Sequence, residues 1–79
     1  MFMSWREENN AIQKSFEFSD FQSALDFVNK VGEIAERSQH HPDIKIHDYK
    51  HVDLTLTTHD EGKVTNKDHL MAEAIDKLN

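Results

Sequence analysis

Apolar and polar residues alternate in two stretches of the chain, and each stretch predicts a β-hairpin. In the first, residues 4–8 and 11–18 flank Asn9 and Asn10, a pair that tolerates the positive φ angles of a tight turn. One face of the second strand carries Ile12, Phe16 and Phe18, and the other carries Gln13, Ser15 and Glu17. This alternation predicts a sheet that buries only one of its faces.

The second predicted hairpin lies beyond Pro42. Proline stops a helix because it lacks an amide hydrogen and disfavours helical geometry in the residue before it. Ile44 and Ile46 then alternate with polar residues up to a turn predicted at Asp48 and Tyr49. After the turn, the alternating apolar residues are Val52, Leu54 and Leu56.

Apolar residues at three- and four-residue steps predict two helices. The first begins at a capping box formed by Ser19 and Gln22 and continues through Glu36. Its apolar stripe consists of Phe21, Ala24, Leu25, Val28, Val31, Gly32 and Ala35. The second begins at a capping box from Thr65 to Asp68. Its apolar face consists of Met71, Ala74, Ile75 and Leu78. In the core we expect Phe16, Phe18, Phe21, Leu25 and Val28.

The element order is strand, strand, helix, strand, strand, helix. It predicts an α+β fold of two layers, a four-stranded antiparallel sheet with both helices packed on one face. The 79 residues suffice for one domain, spanning 1–79. A domain of this size buries only about 60% of the surface of its unfolded chain, and without cysteine no disulfide can support the core. Self-association through the open sheet edges, or a histidine-bound metal, would supply that support.

Charge and hydropathy exclude several classes of function. The formal net charge is -6, and no face gathers lysine and arginine, so the electrostatic attraction that dominates nucleic-acid binding is missing. No apolar run has the length of a signal peptide or a membrane span. We therefore expect a cytoplasmic protein that binds neither nucleic acid nor membrane.

Three histidines lie at the ends of predicted elements. His40 and His41 stand where the first helix ends, and His59 stands where the fourth strand ends. Asp68 lies on the helix that follows. An unperturbed histidine has a pKa of about 6.5 and populates both protonation states at neutral pH. A dehydration uses both states, because one group protonates the departing hydroxyl while another removes a proton from the substrate.

Each of these residues also has a structural interpretation. His40 and His41 alone are consistent with a helix C-terminus that favours partial positive charge. Asp68 is fully explained as the third residue of a capping box, and Glu36 is consistent with a solvated helix position.

The remaining histidines invite a metal-site interpretation. His47 and His51 have the four-residue spacing of a helical zinc pair. They flank a predicted turn, however, and no cysteine or tight carboxylate cluster completes a tetrahedral set. We therefore expect no metal, and we expect His47, His51 and His69 to be solvated surface residues.

The spacing of the candidate residues resembles the signature of the pterin-4a-carbinolamine dehydratases. In order it comprises Glu36, three residues, His40-His41-Pro42, six residues, Tyr49, nine residues, His59, eight residues and Asp68. Trp5 and the segments 16–21 and 54–59 agree as well. The resemblance covers nearly the whole chain, and the fold of that family is the one derived above.

The resemblance implies a hydro-lyase without metal or cofactor. Its substrate would be 4a-hydroxytetrahydrobiopterin, the by-product of aromatic amino-acid hydroxylases, and its products quinonoid dihydrobiopterin and water, so that it would support tetrahydrobiopterin recycling. The implied catalytic residues are His40 and His59 as the acid/base pair and His41 as a pterin contact.

The resemblance also implies five substrate-binding or supporting residues: Glu36, Pro42, Thr57, Thr58 and Asp68. Glu36 would hold a histidine in its working tautomer. Thr57 and Thr58 would offer backbone groups to the pterin edge. Asp68 would orient His59 or only cap its helix.

Two departures and one rival function stand beside this interpretation. Family members usually begin with a further helix ahead of the tryptophan, whereas this chain starts almost at Trp5, and Ile44 stands where animal relatives often have tryptophan. The rival is a non-catalytic protein-binding module, since animal relatives also act as dimerisation cofactors for a transcription factor. The three retained histidines favour the enzyme. The family commonly forms dimers and tetramers, and we expect a homodimer here, with a tetramer as the alternative.

Overall fold

A computed structural model describes residues 5–78 of the chain. The elements are β1 (Arg6–Glu8), β2 (Ala11–Glu17), α1 (Phe21–Ser38), β3 (Asp43–His47), β4 (His51–Leu56) and α2 (Asn66–Asp76). The predicted α+β class and element order are therefore confirmed. Ser4, where we expected the first strand to begin, lies outside the described residues.

The four strands form one antiparallel sheet in the order β1-β2-β4-β3. At its centre, Ile12 of β2 pairs with Leu56 of β4, and Phe16 pairs with Val52. All four side chains are buried. This register places the apolar residues of both central strands on the same face, as the alternation predicts.

Both hairpins turn through left-handed residues at the predicted positions. Asn9 and Asn10 have φ angles of 53° and 63°, and Asp48 and Tyr49 have φ angles of 47° and 53°. Two successive positive φ angles match the twist of the flanking strands. Tyr49 is unusual in this role because a bulky side chain disfavours the left-handed region.

The first helix begins one residue later than predicted and ends two residues later. Its N-cap is Asp20 rather than Ser19, since the Asp20 carboxylate accepts the Ser23 amide hydrogen at 2.8 Å. The helix continues to Ser38, and Gln39 terminates it in a left-handed conformation with φ of 53°. A left-handed residue at this position is a common way to end a helix.

The buried face of α1 also differs from the predicted stripe. It consists of Ala24, Phe27, Val31, Ile34 and Ala35. Phe21 is 49% exposed, and Leu25 and Val28 are only partly buried. At roughly 100° per residue, Phe21 and Leu25 project about 80° and 120° away from Val31, the centre of the buried face. The predicted stripe was therefore displaced toward one side of the helix.

The second helix matches its prediction closely. Gly62 has a φ of 67° in the preceding loop, and Thr65 and Asp68 form the predicted capping box. Met71 and Ile75 are buried as expected. Ala72 is also buried, and Ala74 and Leu78 are partly buried.

One apolar cluster joins the inner face of the sheet to both helices. Phe27 of α1 lies between two aromatic rings of the first hairpin, with centroid distances of 4.7 Å to Phe16 and 4.9 Å to Phe18. The opposite sheet face is polar, and there Ser15 donates a hydrogen bond to Asp53 at 2.7 Å. Neither helix of the described chain is long and apolar enough to cross a membrane.

Candidate active site

A cleft of about 210 Å³ lies where the end of α1, the end of β4 and the first turn of α2 meet. It is lined by Gln39, His40, His41, Thr57, Thr58, His59, Asp60 and Lys67. The structure thus brings together the three predicted catalytic histidines and both predicted threonines. A larger hollow of about 700 Å³ lies between α1 and α2, but no histidine is among its described lining residues.

The end of α1 determines where His40 and His41 project. Gln39 turns the chain out of the helix, while its side chain donates a hydrogen bond to the Glu36 carbonyl at 2.6 Å. The His40 amide still donates to the Ala35 carbonyl at 3.2 Å. The two histidines therefore leave the helix in different directions, with His40 largely buried and His41 exposed.

His40 is paired with a fully buried carboxylate. Its Nε2 lies 2.5 Å from Oδ1 of Asp68, and the two side chains are 12% and 0% exposed. The other oxygen, Oδ2, accepts the Thr58 hydroxyl at 2.8 Å and the Thr65 amide at 2.9 Å. Asp68 therefore both caps α2 and contacts a cleft histidine. Of the two roles expected for Asp68, the helix cap is present, whereas the histidine that it contacts is His40 and not His59.

The protonation state of Asp68 follows from its surroundings. Burial by itself raises the pKa of this carboxyl, but hydrogen bonds from His40, from the Thr65 amide and from the Thr58 hydroxyl outweigh burial and hold the pKa below its ordinary value. Asp68 is then ionised at neutral pH and can only accept hydrogen bonds. Nε2 of His40 must consequently carry the hydrogen, which leaves Nδ1 of the neutral ring as a free acceptor.

The other two cleft histidines are more open to solvent. Nε2 of His41 lies 2.6 Å from a carboxylate oxygen of Glu36, and both side chains of this pair are exposed. Exposed pairs contribute little to stability because water screens them. His59 is exposed, and its ring has no hydrogen-bond partner within residues 5–78. The three rings thus differ in burial and in carboxylate contact.

The two threonines hold the end of β4 in place. The Thr57 hydroxyl donates to the Asn10 carbonyl at 2.7 Å. The Thr58 amide donates to the Lys63 carbonyl, and its carbonyl accepts the amides of Glu61 and Gly62. The backbone of Thr58, which we expected to face a pterin, is thus occupied within the loop, and its hydroxyl contacts Asp68 instead. Pro42 is partly buried and does not line the cleft.

Three cleft residues were not predicted from the sequence: Gln39, Asp60 and Lys67. The sequence carried one indication for Lys67. A lysine in the first turn of a helix is unfavourable beside the positive end of the helix dipole, so its presence there suggests a role other than helix stability. The left-handed conformation of Gln39 and the direction of Asp60 have no comparable signature.

The histidines outside the cleft have several contacts of their own. The ring nitrogens of His47 lie 3.1 Å from carboxylate oxygens of Asp48 and of Asp53, and its ring stacks on His51 at 5.3 Å. His47 and His51 are therefore half-buried and in contact rather than fully solvated, whereas His69 is exposed. Between residues 5 and 78, no three histidine, cysteine or acidic side chains are grouped closely enough to hold a metal ion.

The chain matches the sequence model of the pterin 4 alpha carbinolamine dehydratases over residues 2–78. It belongs to this family. Among its relatives, a Picosynechococcus protein is 48% identical over 98% of this chain and 83% of its own length. A Gloeobacter violaceus protein is 57% identical over 82% of this chain and 70% of its own length. Both relatives bear provisional names as pterin-4-alpha-carbinolamine dehydratases.

Solved structures show the same fold. A Brucella melitensis protein described as a transcriptional coactivator/pterin dehydratase superposes with a TM-score of 0.86 at 37% identity, over 92% of this chain and 79% of that one. A pterin dehydratase-like protein identified as a RuBisCO assembly factor in the alpha-carboxysome superposes with a TM-score of 0.75 at 18% identity, over 96% and 87% of the two chains. The second likeness concerns the fold alone.

Proposed function

We propose that the protein dehydrates 4a-hydroxytetrahydrobiopterin to quinonoid dihydrobiopterin and water, and so supports tetrahydrobiopterin recycling. Membership in the family supports the reaction class. The observation that supports catalysis by this chain is the convergence of His40, His41 and His59 on one cleft, with His40 held by a buried carboxylate. No metal or cofactor takes part in the proposed reaction.

The reaction needs one base and one acid. A carbinolamine carbon bears both a hydroxyl and an amine, so the loss of water forms a carbon–nitrogen double bond. Nδ1 of His40 removes the proton from the ring nitrogen, and the electron pair of that N–H bond forms the new double bond as the carbon–oxygen bond breaks. Protonated His59 gives its proton to the departing hydroxyl, which leaves as water.

The remaining residues support these two steps. Asp68 keeps the hydrogen of the neutral His40 ring on Nε2 and stabilises the imidazolium that forms when Nδ1 takes up a proton, as the carboxylate of a catalytic triad does. His41, held by Glu36, contacts the pterin. After each turnover His40 releases one proton to solvent and His59 takes one up, so the enzyme returns to its starting state.

The test is the dehydration rate of freshly generated 4a-hydroxytetrahydropterin, followed by ultraviolet absorbance with a chelator present throughout. We expect wild type to accelerate the reaction despite chelation. His40→Ala and His59→Ala should each lower the catalysed rate by roughly a hundredfold, the lower end of what acid/base groups contribute. His69→Ala is the matched control, since His69 is exposed on α2 away from the cleft, and it should remain active.

The alternative function is a non-catalytic protein-binding module of the same fold. It is favoured by the description of the Brucella melitensis protein as a transcriptional coactivator/pterin dehydratase. If wild type gives no acceleration over the spontaneous reaction, the dehydratase proposal fails and this alternative replaces it.

We also propose that the protein forms a homodimer through its sheet edge. β3 is an edge strand, and its Ile44 is 39% exposed. The unpaired backbone groups of an edge strand can pair with a strand of a second copy. Sedimentation velocity at micromolar concentration should give a dimer that Ile44→Lys dissociates. Leu70→Lys, a change at an exposed leucine of α2, should leave the dimer intact. A wild-type monomer would contradict the proposal.

A further inference from the structure

Two hydroxyl groups lie behind the carboxylate that contacts His40. Oγ1 of Thr58 is 2.8 Å from Oδ2 of Asp68 and 2.7 Å from Oγ1 of Thr65. Thr58 is buried. Thr65 is the N-cap of α2, and its hydroxyl oxygen accepts the Lys67 amide hydrogen at 3.3 Å. These contacts form one continuous chain from the first turn of the helix to the cleft.

The ends of this chain determine the direction of its hydrogen bonds. A backbone amide can only donate, and an ionised carboxylate can only accept. The Thr58 hydroxyl gives its single hydrogen to Asp68, so the hydrogen between the two hydroxyls belongs to Thr65. The Lys67 amide therefore donates to the Thr65 hydroxyl, the Thr65 hydroxyl donates to the Thr58 hydroxyl, and the Thr58 hydroxyl donates to the Asp68 carboxylate. Each donor is used once.

This arrangement restricts what Asp68 can do. Its Oδ2 receives both the Thr58 hydroxyl and the Thr65 amide, so Oδ1 is the oxygen left for His40. Burial disfavours the ionised form of Asp68, and the hydrogen bond from Thr58 helps to offset that effect. Without the Thr58 hydroxyl, the pKa of Asp68 would therefore rise. A protonated Asp68 would donate to Nε2 of His40, and the hydrogen of the neutral ring would then move to Nδ1.

We propose that Thr58 and Thr65 are positioning residues whose paired hydroxyls keep Asp68 an acceptor and thereby keep Nδ1 of His40 free to take the substrate proton. The kinetic part rests on the dehydratase function proposed above. The tautomer of His40 is a separate observable that needs no turnover.

The test compares wild type with Thr58→Val and Thr58→Ser. Valine replaces the hydroxyl by a methyl group of similar size, and serine keeps the hydroxyl. The first readout is the ¹⁵N NMR spectrum of the His40 ring, which distinguishes the two neutral tautomers. The second is the pH profile of kcat and KM. Other titratable groups around the pair are His41, His59, Asp60 and Lys67, and all three proteins share them.

In Thr58→Val we expect the Nδ1–H tautomer to appear. We expect kcat to fall about tenfold at neutral pH with little change in KM, and the acid limb of the profile to move to higher pH. Thr58→Ser should restore all three properties. A Thr58→Val protein that keeps the wild-type tautomer and profile and loses only thermal stability would show that Thr58 is merely structural.

Two further results separate this inference from the proposed function. If Thr58→Val does not fold, Thr58→Ala beside Thr58→Ser supplies the same comparison, because alanine likewise removes the hydroxyl that donates to Asp68. An inactive wild type whose His40 tautomer still depends on Thr58 would support the hydrogen-bond order and contradict only the dehydratase function.

Discussion

At the scale of single residues, Asp68 connects the stability of a helix to the geometry of the cleft. One of its oxygens completes the capping box of α2, and the other contacts His40. A substitution at Asp68 therefore alters the helix cap and the histidine together. Loss of activity in such a variant has meaning only when its folding is measured as well.

The depressed pKa of Asp68 predicts acid-dependent stability. Because its pKa is lower in the folded protein than in the unfolded chain, its ionised form stabilises the fold above the unfolded pKa of about 3.9. This contribution is lost as the pH falls through the folded pKa. Asp68→Asn should lower the free energy of unfolding at pH 7 by about 2 kcal/mol, and the deficit should shrink on acidification.

Urea denaturation between pH 3 and pH 7 measures this deficit directly. Asp26→Asn, at an exposed position on α1, is the control for replacing a carboxylate by an amide. A deficit for Asp68→Asn that stays constant across this range would show that the charge of Asp68 does not stabilise the fold.

At the scale of elements, the caps and turns decide where each helix and strand ends. The Asp20 cap fixes the first turn of α1, and the Gln39 conformation fixes its last. Gln39 immediately precedes His40 and His41 in the chain. The local chemistry of one helix end therefore places two of the three cleft histidines.

The two candidate caps of α1 differ in a measurable way. Asp20→Ala should lower the free energy of unfolding by about 1 kcal/mol, because the Ser23 amide loses its acceptor. Ser19→Ala should have almost no effect. Thermal or urea denaturation of the two variants checks this, and the reverse order of stabilities would restore Ser19 as the cap.

The β3–β4 hairpin should weaken as the pH rises. The hydrogen bond to Asp48, and to a smaller extent the one to Asp53, raises the pKa of His47 above its ordinary value. A raised pKa means that the protonated form stabilises the fold fully below the unfolded pKa of about 6.5, and that this contribution is lost as the pH rises through the folded pKa. The gap in unfolding free energy between wild type and His47→Gln should therefore be wider at pH 6 than at pH 9.

Denaturation curves of both proteins at the two pH values test this, with His69→Gln as the control at an exposed histidine. An equal gap at pH 6 and pH 9 would mean that the His47 charge does not stabilise the hairpin.

At the scale of the whole molecule, the first hairpin and the end of α2 are joined through one carboxylate. Asp76 accepts the indole hydrogen of Trp5 at 3.2 Å and the Lys14 ammonium at 2.8 Å. Lys14 lies on the inward side of β2, and this contact explains why a charged residue is tolerated there. Trp5 also packs edge-on against Phe16 of the core, with ring centroids 6.3 Å apart.

This arrangement predicts cooperative unfolding. Trp5 is the sole tryptophan, so its fluorescence reports the junction between the first hairpin and α2, while far-ultraviolet circular dichroism reports both helices. Because one apolar cluster joins the sheet and the helices, the two signals should give the same midpoint in urea. Separate midpoints would show that the junction opens before the rest of the core.

Much of the fold was predictable because it depends on patterns between near neighbours. The alternation around Ile12 and Leu54 determines strands and their buried face. The pairs Asn9-Asn10 and Asp48-Tyr49 mark both turns, and the Thr65 capping box marks the start of α2. The candidate histidines were also visible, since they stand at element ends with the spacing of a known family.

The sequence alone did not determine which side of α1 is buried or how the site residues pair. Phe27 and Ile34 face the core because the sheet selects the side of the helix that packs against it, whereas three- and four-residue spacing alone is also satisfied by Phe21 and Leu25. Asp68 meets His40, 28 residues away. That pairing required the end of α1 and the start of α2 to come together, which depends on packing between elements and has no local pattern in the chain.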